Sequence, residues 1–100
     1  MGEGQEGPGA FEAVAYAVDL KPAAARDLQK LPEDVRRRIA LRIDALATDP
    51  TPAGVEALKG EPDYFRLRVG EYRILYQVER KAHAVLVARI GHRREVYRRS

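Results

Sequence analysis

The sequence predicts an α+β fold: a single domain with a largely antiparallel four-stranded sheet and an N-terminal helix pair packed on one face. Three observations lead there. Apolar residues recur at helical spacing from Ala24 to Leu46, then alternate at strand spacing beyond Val55. Proline and glycine punctuate the chain between those stretches, at Pro22, Pro32, Pro50, Pro52, Gly60 and Gly70. With 100 residues the chain has room for one hydrophobic core, so the helical and strand-rich parts must share it.

Residues 1–12, with four glycines and a proline, read as a disordered leader, and 13–100 as the folded domain. From Val14 to Leu20 the pattern alternates, placing Val14, Tyr16, Val18 and Leu20 on one face of a strand. Pro22 suits a first helical turn, and Ala23 to Leu31 follows, burying Ala24, Leu28 and Leu31. Pro32 breaks that helix. Glu33 and Asp34 open a second one, their negative charges favouring a helix N-terminus. Val35, Ile39, Ile43 and Leu46 form its buried stripe, and Arg36, Arg37, Arg38 and Arg42 lie mostly off it, as a solvated face would. Asp49-Pro50-Thr51-Pro52 is a loop, Val55 to Leu58 a short strand, and Gly60 to Asp63 a turn. Three strands follow at 64–69, 72–79 and 83–90.

Composition excludes several classes. A chain 45% hydrophobic and 33% charged is too apolar for intrinsic disorder. Its apolar runs, such as Ala84 to Ala88, are far too short for a transmembrane helix. The first fifteen residues carry no Lys or Arg, unlike a secretory signal. With no cysteine and only His83 and His92, neither a disulfide scaffold nor a metal site is expected, and no cofactor. A cytoplasmic protein without metal is the resulting expectation. The net charge of +3 is unevenly spread: residues 1–58 hold seven basic and ten acidic side chains, residues 59–100 eleven and five. Such a basic half matches a polyanion, nucleic acid first and an acidic protein second, or is a solvated surface.

The hairpin register sharpens that choice. Gly70-Glu71 suits a two-residue turn, which sets Val69 opposite Tyr72, Arg68 opposite Arg73, Leu67 opposite Ile74 and Phe65 opposite Tyr76. One face is then apolar, and the other carries Arg66, Arg68 and Arg73. If the next hairpin turns symmetrically about Lys81, Tyr72 pairs with Ile90 and Arg73 with Arg89, over an apolar floor of Leu75, Val85 and Val87; a bulge would alter this second register. Like charges directly opposite across strands cost roughly 0.2–1 kcal/mol a pair. A cluster kept despite that cost favours an anion, and guanidinium planes match phosphate oxygens two at a time. Gly91 turns the chain so that the following side chains reach this face. Among them, His92 exchanges protons or makes a structural hydrogen bond. Tyr97 stacks on a base, moves a proton, or packs the C-terminus.

Lys21-Pro22-Ala23 with Leu28-Gln29-Lys30-Leu31-Pro32 resembles the opening of the RelE/ParE toxin superfamily of type II toxin–antitoxin systems. The resemblance is more specific in Leu58-Lys59-Gly60, in Tyr64 to Tyr76, and in Ile90-Gly91-His92-Arg93-Arg94-Glu95-Val96-Tyr97, and it spans about residues 14–98. It implies a RelE-like toxin: a ribosome-dependent endoribonuclease that uses the 2′-hydroxyl of mRNA as nucleophile. The implied catalytic set is Arg66, Arg68, Arg73, Arg93 and Tyr97, with Lys59, Arg89, His92 and Arg94 binding RNA around it. Arginine stands at Arg66 and Arg68 where well-known members have lysine, and an arginine does not readily release a proton. The resemblance also implies an acidic, partly disordered antitoxin, binding up to a heterotetramer, with the ribosome and mRNA as targets and no membrane. Its alternative is a ParE-like toxin that inhibits DNA gyrase without catalysis. A plain RNA-binding module would carry aromatic platforms on the exposed sheet face, whereas Tyr64, Phe65, Tyr72 and Tyr76 are mostly assigned to the core side.

Overall fold

The structure, a computed structural model, describes residues 15–92. Its elements are β1 (Ala17–Leu20), α1 (Pro22–Gln29), α2 (Glu33–Ala45), β2 (Glu56–Ala57), β3 (Tyr64–Val69), β4 (Tyr72–Glu79) and β5 (Ala84–His92). The strands form one sheet in the order β1-β5-β4-β3-β2, antiparallel except where β1 joins β5 in parallel. The α+β class predicted from sequence holds. The strand count rises from four to five because the two-residue β2 pairs with β3 at the sheet edge. Among the described residues no helix is long and apolar enough to cross a membrane.

Local chemistry sets the element ends. Pro22 occupies the first turn of α1, and Lys30 and Leu31 close the helix end through bonds to the Asp27 and Leu28 carbonyls. The helical run stops at Gln29, short of the predicted Leu31, because Pro32 biases the residue before it away from helical geometry. Glu33 and Asp34 lie in the first turn of α2, as their charge favours. Among the described residues the pairing of β1 runs from Ala17 to Leu20; Val14, where the predicted strand began, lies outside them.

The core lies between the helices and one face of the sheet. Ala24 of α1 and Ile39, Ile43 and Leu46 from α2 and its C-terminal end meet Leu67, Val69, Ile74, Tyr76, Val78, Val85, Val87 and Ile90, all buried, with Phe65 and Tyr72 packed against them. Tyr76 is fully buried and crosses this layer to donate its phenol hydrogen to the Pro50 carbonyl at 2.7 Å. Burial pushes its pKa up to about 12, and the Asp49 charge adds to the rise. That bond ties the loop after α2 to the middle of the sheet.

The first hairpin has the predicted register, with Val69↔Tyr72, Arg68↔Arg73, Leu67↔Ile74 and Phe65↔Tyr76. The second does not. Glu79 pairs with Ala84, and a bulge then inserts Ala88, so that Leu75 faces Arg89, Arg73 faces Gly91 and Tyr72 faces His92. Arg73 therefore does not oppose Arg89, and Val85 and Val87 face the core rather than forming a floor under the arginines. The extra residue has a physical role: without it Arg89 would take the place opposite Ile74, on the apolar face, and Ile90 would leave the core.

Candidate active site: an arginine-lined cleft

A cleft of about 270 Å³ opens where the short β2 ends and β3 continues past it. Arg66 and Arg68 reach it from β3, Arg73 from β4, Arg42 from α2, and Ala53, Gly54 and Glu56 from the loop and strand that Tyr76 helps to hold. Alternation along β3 and the direct pairing Arg68↔Arg73 put the three strand arginines on one sheet face. Arg73 is 6% exposed, yet it is a charged residue at a cleft. The glycine opposite it, Gly91, leaves space beside its side chain, and its Nη1 donates to the Tyr72 carbonyl at 3.4 Å.

Among the described residues one carboxylate, that of Glu56, lines the cleft. Glu56 Oε1 accepts from Arg66 Nη2 at 2.8 Å and from Nε at 3.3 Å. The hydrogen bond and charge of Arg66 hold the Glu56 carboxyl below its usual range, with Arg68 and Arg73 adding to the pull. Glu56 is therefore ionised at neutral pH inside a ring of guanidiniums. Chemically the cleft can bind a tetrahedral oxyanion through planar donors, stabilise charge developing on it, and offer one basic oxygen nearby.

Not every predicted residue converges here. Arg89 turns instead to α1, where Asp27 accepts from its Nε at 2.8 Å and Nη2 at 3.2 Å. Asp27 also accepts the Ile90 N–H at 2.9 Å, beyond the point where β1 stops covering the β5 edge. Burial works against the Asp27 charge, but the bonds from Arg89 and Ile90 outweigh it and its pKa falls below the usual value. His92 lies opposite Tyr72 on the core-side face, its ring edge-on to the tyrosine at 5.7 Å, so the register does not bring it to the arginines. Lys59 is exposed and lines an adjoining groove that shares Glu56 and Arg66 with the cleft. Arg93, Arg94 and Tyr97 lie outside the described residues.

Sequence reasoning missed two cleft residues. Glu56 stood in a predicted short strand, and its pairing Glu56↔Arg66 depends on a turn whose length no local motif specified. Arg42 read as a solvated helix residue; only its position four residues after Arg38, off the buried stripe, hinted at a directed face.

The chain belongs to the ParE toxin family of type II toxin–antitoxin systems, whose model matches residues 18–97. It is a toxin of such a system. Within that family it is similar to toxin RelG of Mycobacterium tuberculosis, 31% identical over 85 residues that cover 84% of this chain and 98% of the relative. In three dimensions it resembles the RelE–RelB complex of Pyrococcus horikoshii, with a TM-score of 0.71 at 30% identity over 79% of this chain and 96% of the other. The isolated RelE toxin of Escherichia coli gives a TM-score of 0.70 at 25% identity, covering 85% of this chain and 98% of that one. The matches by overall sequence and shape thus carry RelE-type names, while the family model carries the ParE description.

Proposed function

We propose that this toxin is a metal-independent endoribonuclease that cuts mRNA on the ribosome, in the cytoplasm, and is held idle by a RelB-like antitoxin. The observation that carries this reading is the convergence of Arg66, Arg68 and Arg73 with a carboxylate in one cleft. An RNA phosphate entering it displaces Glu56 from Arg66. The freed carboxylate takes the proton of the 2′-hydroxyl, whose oxygen attacks the adjacent phosphorus. The O2′–P bond forms, the P–O5′ bond breaks, and the products are a 2′,3′-cyclic phosphate and a 5′-hydroxyl.

Arg73 stabilises the charge gathering on the phosphoryl oxygens, and Arg66 and Arg68 hold the backbone and acidify the hydroxyl by their proximity. Arg93 adds a further guanidinium on the phosphate, and Tyr97 shuttles a proton to the leaving oxygen. Arginines cannot act as bases at neutral pH, and among the described residues lining the cleft Glu56 is the group able to accept the proton. The ribosome supplies the alignment of the strand, the larger part of the entropy cost.

The test adds the protein to translating ribosomes and maps mRNA 5′ ends, with Arg73→Ala and the exposed-site variant Arg68→Ala beside it. Wild type cuts and both variants, folded by circular dichroism, do not; full cleavage by both overturns the reading. Because the family model is that of ParE toxins, a DNA gyrase supercoiling assay runs in parallel. Gyrase inhibition without cleavage establishes the ParE-like alternative.

A further inference from the structure

Four arginines project from α2, and the structure divides them into two pairs. Arg36 donates to the Leu31 carbonyl at 3.3 Å, and Arg37 pairs with Glu33 at 3.0 Å one helical turn away. Both are used locally. Arg42 lines the cleft beside Arg66, Arg68 and Arg73. Arg38, one turn before Arg42, points its Nη1 toward the β3–β4 turn, 3.5 Å from where a Cβ on Gly70 would lie. Among the described residues neither Arg38 nor Arg42 has an ion pair. Their Cα atoms lie about 6 Å apart along the helix axis, so the two like charges are kept on neighbouring turns despite their repulsion.

We infer that Arg38 and Arg42 form a second phosphate track on α2, which binds the RNA strand as it leaves the cleft past the β3–β4 turn. The inference rests on the ribonuclease reading and deepens it. The strand arginines grip the phosphate that reacts; the helix arginines grip the phosphates beside it and set the direction in which the strand runs. They are positioning residues. A backbone track of this kind has no base readout, so it adds affinity without sequence preference. Their charge also complements an acidic protein segment, but their continuity with the cleft favours the nucleic acid.

The test measures binding of a short 2′-O-methyl RNA, which cannot be cut, between about 50 and 200 mM salt. Wild type is compared with Arg38→Gln/Arg42→Gln, the Arg38→Lys/Arg42→Lys pair, and Arg37→Gln as a control from the other side of the same helix. Each single-strand phosphate contact contributes about 0.7 to the slope of log affinity against log salt. The glutamine pair is expected to flatten the slope by about 1.4, the lysine pair to restore it, and the control to leave it unchanged. A wild-type slope in the glutamine pair overturns the inference. So does a glutamine pair that keeps its RNA slope and loses affinity for an acidic peptide, because α2 then serves a protein partner. Wild type that binds no RNA at any of these salt concentrations overturns the inference, while the mapping of mRNA 5′ ends on translating ribosomes decides the ribonuclease reading separately.

Discussion

Two carboxylate–arginine pairs, at opposite sides of the sheet, use the same chemistry in opposite arrangements. At the β5 edge the carboxylate is the enclosed partner: the Asp27 side chain is 14% exposed and Arg89 40%. At the cleft the order reverses, with Glu56 62% exposed and Arg66 22%. Asp27 is also held by a backbone N–H, so no incoming group could replace it without leaving Ile90 unsatisfied. Glu56 has no such anchor among the bonds described, and an arriving phosphate can take its place on Arg66. An enclosed carboxylate makes a clamp; an exposed one on an enclosed arginine makes an exchangeable counter-ion.

Breaking the clamp gives the largest expected effect. Asp27→Ala should cost about 2–3 kcal/mol, from lost charge-assisted hydrogen bonds and an amide left at the strand edge, read as a lower urea midpoint. The pH dependence has a definite sign. The folded pKa of Asp27 lies below its ordinary 3.8, so its contribution is present above that value and fades as pH falls through the folded one. Asp27→Asn should remove that part of the acid sensitivity; an unchanged acid profile would show that the clamp stores no stability.

The next effect tests what holds the Glu56 side in place. Tyr76→Phe should lose about 1–2 kcal/mol by orphaning the Pro50 carbonyl. It should also weaken RNA binding, because the loop to the cleft is released. In wild type the phenol, raised from 10.0 to about 12, stays protonated longer in the folded state. Stability is then complete below pH ~10 and falls as pH rises toward about 12, a loss that the Phe variant should not show in alkaline melts.

Smaller still is the cross-strand repulsion of Arg68 and Arg73. Arg68→Thr should stabilise the fold by roughly 0.5 kcal/mol while RNA affinity drops, and no gain in thermal melts would mean that their charges are already offset.

Glu56→Gln completes the comparison by leaving the urea midpoint where it was. Removing the counter-ion should tighten RNA binding roughly threefold at low salt. Cleavage should fall about 10²- to 10⁴-fold as the proton acceptor is lost. Tighter binding with an undiminished cleavage rate would retain the exchange and reject the proton step.

Much of this molecule was legible in its amino-acid order because the information was local. Pro22, Pro32 and the Glu33-Asp34 pair mark both helices, and Gly70-Glu71 closes a hairpin so short that register and the shared face of Arg66, Arg68 and Arg73 follow from it. Nothing local specified the second hairpin. Its longer loop admits several registers, and the bulge at Ala88 was selected by the need to keep Ile90 inside and Arg89 outside the core. The partners of the charges were decided in the same way: Asp27 and Arg89 stand 62 positions apart, and Arg42 enters the cleft because of how α2 packs. Short-range sterics decide which side chains share a strand face. Long-range packing decides which of their charges are spent on the fold and which remain for a ligand.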